Sequence, residues 1–293
     1  MFNSHTQPAH ADQPEALPES PWLRRLPLRS PTLPPALHTN LYIVGQGPLL
    51  LVDPGTPDVS ENDRALQTLA TLAEGGHATA GILLTHHHYD HCSGLPYLRQ
   101  RLGVPVYAHP ATATKLGLPA GDYHPVNEGE VLPFGPGGVL LRHTPGHAVG
   151  HLCVQDLASP NLIVGDMVAS VGSILIEVAD GGDMRVYLQS LARLKALADA
   201  EQLRLWPAHG ASIAEGSALI AAYIAHRLLR EAKVLRALSS AATPLLDLVP
   251  GAYDDKPDVD RALASRALLA HLHKLRDEGQ ADEVAPGHWA RTH

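Results

Sequence analysis

The sequence predicts a mixed α/β (α+β) fold of two helix-covered sheets, followed by a small winged-helix-like C-terminal unit. Three observations carry this. Short apolar runs of strand length alternate with helical segments, and hairpins also occur. His and Asp residues fall just after several of those runs, at well-separated points. From about Ser217 the pattern turns helical and ends in a short hairpin-like segment.

The elements follow in order. Residues 1–36 are proline-rich, with PLRSPTLPP and PPAL, and read as an irregular lead-in. "LYIVGQGPLLLVDPG" holds two apolar runs around GQGP, a hairpin whose second strand ends at Asp53-Pro54-Gly55. Residues 61–74 read as a helix. "ATAGILLTHHH" is a short buried strand running into a His cluster, with a helix at LPYLRQRLG and a strand at PVYAHP after it. "GGVLLRHTPGH", "HLCVQDL" and "NLIVGDMV" are three strands, the first and third ending in polar loops. Residues 184–200 form a helix with Leu188, Leu191 and Leu194 on one face, and "LRLWPAHG" is a strand ending at His209. This body spans 37–216. In 217–293, "SALIAAYIAHRLLREAKVLRAL" is a long linking helix and "TPLLDLVPGAY" a break. A second helix carries Leu268, Leu272 and Leu275 and stops near Gly279, and "GQADEVAPGHWART" is a terminal hairpin.

Composition narrows the classes. The apolar fraction of 45% supports a full core, but Phe and Trp are scarce, so Leu, Ala and Val must fill it. No apolar run reaches the roughly 18 residues of a membrane span. The N-terminus has neither a basic n-region nor an apolar h-region, so the reading is a cytoplasmic protein with no membrane partner. Two cysteines, Cys92 and Cys153, make no disulfide framework, and both are expected as buried thiols without a disulfide partner. The net charge of −8 disfavours a broad nucleic-acid surface without excluding a local basic groove.

The chemistry sits in "THHHYDH". His86 and His88 are two apart, so in extended backbone they point the same way and can grip one ion. Asp90 and His91 can turn to a neighbouring position. His147, Asp166 and His209 end other strands, and strand ends along one sheet edge converge in space. His and Asp donors without cysteine suit a hydrolytic centre with zinc foremost, and manganese or iron(II) also compatible. His87 is expected to face away from the ions. His151 is expected to support the donors rather than join them.

"VDPG", "THHHYDH", "TPGH", "GD" and "PAHG" occur in this order from residue 53 to 209 and resemble the signature segments of the metallo-β-lactamase superfamily. The resemblance implies an αβ/βα sandwich with two divalent metal ions on one edge. It implies that His86, His88 and His147 bind the first ion, that Asp90, His91 and His209 bind the second, and that Asp166 bridges them. Asp53 would hold a donor loop from behind. A hydroxide shared by two cations, its parent water's pKa brought from about 15.7 toward about 7, would attack the substrate, with Asp90 orienting it and handling its proton.

The 217–293 segment is similar to that of the lactamase-β-like protein 2 group, which pairs the hydrolase body with a winged helix and whose characterised animal member is a zinc-dependent endoribonuclease on single-stranded RNA. On that reading His226, Arg227 and Arg230, with Lys233 and Arg236, would contact phosphates, and Tyr89, Tyr223 and Tyr253 are the candidate stacking residues. Tyr89 is also a candidate substrate wall. The alternative is a hydrolase of a small ester, thioester or lactone, of the glyoxalase II kind. Slow incidental turnover of a β-lactam would fit such a site and say little about the natural substrate. A non-catalytic binding module fits poorly with a full donor set. A single-iron sulfur dioxygenase would carry a GRTDFQ-like segment after Asp166, where "MVASVGSILIEVADGG" stands.

Overall fold

The longest apolar runs are continuous rather than alternating because the central strands of the two main sheets are buried on both faces. The computed structural model describes residues 15–17 and 20–292. Among these residues the first sheet has seven strands, laid down in chain order: β1 (Glu15–Leu17), β2 (Ser20–Arg29), β3 (His38–Val44), β4 (Leu49–Val52), β5 (Thr79–Leu84), β6 (Val106–Ala108) and β7 (His124–Pro125). Pairing is antiparallel from β1 to β4 and parallel from β4 to β7. The second sheet runs in the order β12-β11-β10-β9-β8, built from β8 (Val131–Leu132), β9 (Val139–His143), β10 (Leu152–Asp156), β11 (Asn161–Gly165) and β12 (Arg204–Pro207).

Alternate residues of one strand serve different layers. Tyr42, Val44, Leu50 and Val52 meet Leu141, Leu152, Val154, Ile163 and Trp206 between the sheets. Leu41, Ile43, Leu49 and Leu51 turn the other way, under α1 (Val59–Glu74) and α3 (Leu95–Leu102). On the far side of the second sheet, Cys153, Leu162, Val164 and Leu205 pack under α5 (Met184–Glu201) and α6 (Gly216–Ala237). The product is the expected αβ/βα sandwich. Two shorter helices complete the body, α2 (Tyr89–Cys92) in the His loop and α4 (Pro110–Leu116). No described helix is long and apolar enough to cross a membrane.

The C-terminal unit adds α7 (Leu245–Ala252), α8 (Arg261–Asp277) and a small sheet in the order β13-β15-β14, with β13 (Thr243–Pro244), β14 (Ala281–Ala285) and β15 (His288–Arg291). Val234 and Leu238, at the end of α6, share its core with Leu248, Leu268, Leu272, Leu275 and Trp289.

Two expectations need correction. The lead-in is not irregular throughout: residues 20–29 form β2, paired with β3 along its length, while most of the segment before Ser20 lies outside the described residues. Pro21 and Pro27 masked a strand whose Leu23, Leu26 and Leu28 are fully buried. The break at "TPLLDLVPGAY" is a helix, α7, despite Pro250. Its missing N–H affects only a short exposed stretch next to Leu246, and burial of Leu248, Val249 and Ala252 outweighs it.

One side chain pins the N-terminal strand to the opposite sheet. Asp156, buried at the end of β10, accepts from the Ser20 hydroxyl (2.7 Å), the Trp22 indole N–H (3.2 Å) and the Ala158 amide (3.0 Å). Asp156→Ala would strand these donors, and we expect a loss of about 1–3 kcal/mol in urea unfolding. An unchanged unfolding midpoint would show that the tie contributes nothing.

Candidate metal centre

The donor loop is held from behind before any ion is considered. Asp53 follows β4 with a positive φ of 59°, a conformation that aspartate tolerates better than most residues. Its carboxylate accepts from the Thr85 amide (2.7 Å), the Thr85 hydroxyl (2.6 Å) and His91 Nδ1 (2.7 Å). The Thr85 hydroxyl in turn meets His86 Nδ1 at 3.0 Å. The Thr85 carbonyl accepts from the Leu152 amide of the second sheet (2.9 Å). Gly55 makes the approach possible, since a Cβ there would lie 1.9 Å from the Asp90 carbonyl oxygen.

The remaining donors are fixed in the same manner. His147 Nδ1 donates to the Leu175 carbonyl (2.8 Å), and His209 Nδ1 to the His38 carbonyl (3.0 Å). The backbone after β12 is stitched to β3 by Asn40, whose side chain donates to the Pro207 carbonyl (2.8 Å). With Nδ1 committed as a donor, the Nε2 lone pairs of His86, His91, His147 and His209 point inward.

The structure brings all seven sequence-selected residues together. His86, His88 and His147 put donor atoms within 4.8 Å of one another, and so do Asp90, His91 and His209. Asp166 straddles the two groups. Its Oδ1 lies 3.4 Å from His91 Nε2 and 3.3 Å from His209 Nε2, and its Oδ2 lies 3.5 Å from His147 Nε2. Asp90 Oδ2 is 3.5 Å from His209 Nε2. A third possible grouping, Asp53 with His86 and His91, is already spent on the hydrogen bonds given above.

Electrostatics separate the halves. Burial, reinforced by neighbouring histidines, pushes His86 and His147 well below the usual imidazole range, and burial lowers His88 too. This half is a neutral nitrogen pocket. Burial also acts on His91 and His209, but the carboxylate of Asp166 leads those that overcome it and raise both. Against its own burial, Asp166 is held well below the carboxylate range by His209 and His91. This half is rich in negative charge.

Two observations fit a pair of cations. His91 Nε2 and Asp166 Oδ1 are buried and make no hydrogen bond, although they face each other. His86 Nε2 and His147 Nε2 oppose lone pairs at 3.2 Å, an arrangement that a shared cation relieves. The His/Asp clusters therefore suit a binuclear metal site.

Residues 34–209 match the Metallo-beta-lactamase superfamily. The chain belongs to this superfamily. Residues 245–289 match the Beta-lactamase associated winged helix domain, so the second expected unit is present as well. Among relatives of this superfamily hydrolase, a Beta-lactamase-like protein 2 homolog of Caenorhabditis elegans is 28% identical over 82% of this chain and 79% of its own. An Atrochrysone carboxyl ACP thioesterase of Emericella nidulans is 30% identical over 83% of this chain and 75% of its own. A Beta-lactamase domain protein from Burkholderia ambifaria shares the fold, with a TM-score of 0.82, 22% identity, and coverage of 99% of this chain and 96% of that one.

Around the centre, His151 and His87 stay out of the two donor groups, as expected, and Asp180 is an addition. His151 makes no approach as a donor. Its Nε2 accepts from the Asp166 amide (3.0 Å), and burial pushes it down to about 3, so it stays neutral. Gly165 permits this contact, because a Cβ there would sit 2.5 Å from His151 Nε2. His87 joins neither of the two donor groups and meets Asp180 Oδ2 at 2.7 Å. Asp180 also touches His88, and nothing in the sequence singled it out.

The proposed phosphate-binding strip is corrected. Arg227 is buried and donates to the Ile174 carbonyl, and Arg230 is buried against Asp255 (2.8 and 3.1 Å). Lys233 pairs with Asp254 and Asp255. His226 is half-buried and pushed down to about 4 by burial, then by Arg227 and Arg230. Tyr223 is buried with its hydroxyl bonded at Ala169, and Tyr253 lies under Arg230, 4.0 Å from ring centre to guanidinium. The strip can face inward because carbonyls and a carboxylate from other segments accept from Arg227 and Arg230. Of the three aromatic candidates, Tyr89 is the exposed one, at 63%, and lines the cavity over the centre.

Both cysteines are free and buried. Cys92 donates to the His87 and His88 carbonyls, and burial pushes it up to about 11, while burial pushes Cys153 up to about 12. At pH 8 both are protonated and poor nucleophiles. The native protein should label slowly with an aromatic disulfide reagent and the unfolded chain should release two equivalents. Fast native labelling at Cys92 would mark it as a thiolate in the centre.

Proposed function

We propose that the protein hydrolyses an acyl thioester at this centre, with zinc as its metal. The supporting observation is the lining of the cavity. A space of about 330 Å³ opens over Asp90 and Asp166, walled by residues 31–36 and by Ile174 and Leu175. Asp90, Asp166, Glu177 and Asp180 are its carboxylates, and Arg266, its one lining Lys or Arg, is paired with Glu177. An apolar wall with an acidic rim accommodates a neutral acyl chain, whereas a run of phosphates needs unpaired basic groups. The thioesterase named among the relatives supports the same reading.

His86, His88 and His147 would hold one cation, Asp90, His91 and His209 the other, and Asp166 both. The ions would supply Lewis acidity at the carbonyl oxygen and a water acidified toward a pKa of about 7. Hydrolysis adds water across the C–S bond and releases a carboxylic acid and a thiol. Asp90 lines the cavity at the edge of the donor set, so it is the group placed to take the proton from water and pass it to the departing sulfur. Tyr89, exposed beside it, forms part of the substrate wall.

The test pairs a panel of acyl thioesters, including a glutathione thioester, with a fluorescent single-stranded RNA. Thioester turnover is expected, lost on chelation and reduced by about 10²–10⁴-fold in Asp90→Asn. Cleavage of RNA with no thioester turnover would overturn the proposal and restore the nuclease reading.

A further inference from the structure

We propose that Asp180 is a positioning residue for the three-histidine half of the centre, acting by fixing the proton of His88 on Nε2 so that Nδ1 is free for the metal. Asp180 and His87 lie outside the seven residues and meet one of them, His88. Asp180 Oδ2 lies 3.0 Å from His88 Nε2 and 2.7 Å from His87 Nε2. A carboxylate oxygen accepts, so both imidazoles donate through Nε2. His87 Nδ1 has no partner, which agrees with its proton being on the other nitrogen. His88 Nδ1 is then a bare lone pair, 3.0 Å from His86 Nε2. His88 thus differs from the other four donor histidines, which present Nε2. A carboxylate behind the ring is what selects the opposite nitrogen.

Asp180 is itself held from two sides. Lys115 of α4 donates to its Oδ1 (3.1 Å) and to its carbonyl (2.8 Å). The short turn Val178–Asp180 is capped by Glu177, whose side chain accepts from the Ala179 amide (3.3 Å) and from Arg266 of α8. The turn therefore links α4, the C-terminal unit and the donor loop.

The rival reading is that His87, His88 and Asp180 themselves bind an ion, since their donor atoms also lie within 4.8 Å of one another. The Lys115 ammonium against Asp180 argues against a cation there.

The test uses the full-length protein and zinc(II). Long-range ¹H–¹⁵N imidazole spectra of the metal-free protein, with His88 assigned through His88→Gln, should show His88 protonated at Nε2. In Asp180→Ala that preference should be lost, and chelator competition should show one of two zinc sites weakened by about 10–100-fold with the other little changed. Asp180→Asn keeps an acceptor oxygen and should retain the tautomer with a smaller loss. It also serves if the alanine variant does not fold. The proposal fails if Asp180→Ala, or a folded Asp180→Asn with an altered His88 tautomer, binds both ions as tightly as the wild type. It fails equally if the wild type takes up a third zinc that Asp180→Ala does not. None of these readouts involves a substrate, so the thioesterase reading can fail without affecting them.

Discussion

The tie between Asp53 and Thr85 is the contact on which the arrangement of the centre depends. It joins the end of β4 to the end of β5, and through the Thr85 carbonyl it reaches the second sheet at Leu152. The same carboxylate orients His91 directly and His86 through the Thr85 hydroxyl. A buried carboxylate with three donors around it has its hydrogen-bonding capacity met, so its burial leaves no acceptor stranded at the foot of the site. Opposed imidazole lone pairs and a buried Asp166 oxygen without a hydrogen bond are costly in a fold without ions. The rigid frame behind them keeps the donors from relaxing into hydrogen bonds with each other.

Much of this was legible in the sequence for a simple reason. Strands buried on both faces read as unbroken apolar runs, and polar residues just beyond them mark the sheet edge. His86, His88, Asp90, His91, His147, Asp166 and His209 all carry that signature. The residues that escaped notice act across long sequence distances. Asp180 sits in an ADGG turn with no periodicity, and its partners are about ninety residues earlier. Arg227 and Arg230 occupy helical positions that suit a solvated face as well as a buried one. The partners that decide between these, Ile174 and Asp255, are not neighbours in sequence. Proline hid both β2 and α7, since a local penalty was read without the tertiary burial that overrides it.

The chain from α6 onward is more than an appended module. Arg227 of α6 holds the Ile174 carbonyl, and Arg266 of α8 holds Glu177. Between those residues the Leu175 carbonyl accepts a hydrogen bond from His147 Nδ1. One stretch of about ten residues thus forms a cavity wall, supports the candidate donor His147 and is gripped from α6 and α8.

That grip bears on how freely the two units can be exchanged. The seam between them runs along the wall of the cavity as well as through α6. A foreign segment grafted in place of α6 onward would have to bring a guanidinium for Ile174 and a cation for Glu177, or leave a buried carbonyl without its donor and Glu177 without its ion pair. Body and appendage are therefore constrained to change together, and swaps between relatives are expected to be tolerated in blocks that include residues 171–182 rather than at the helix boundary.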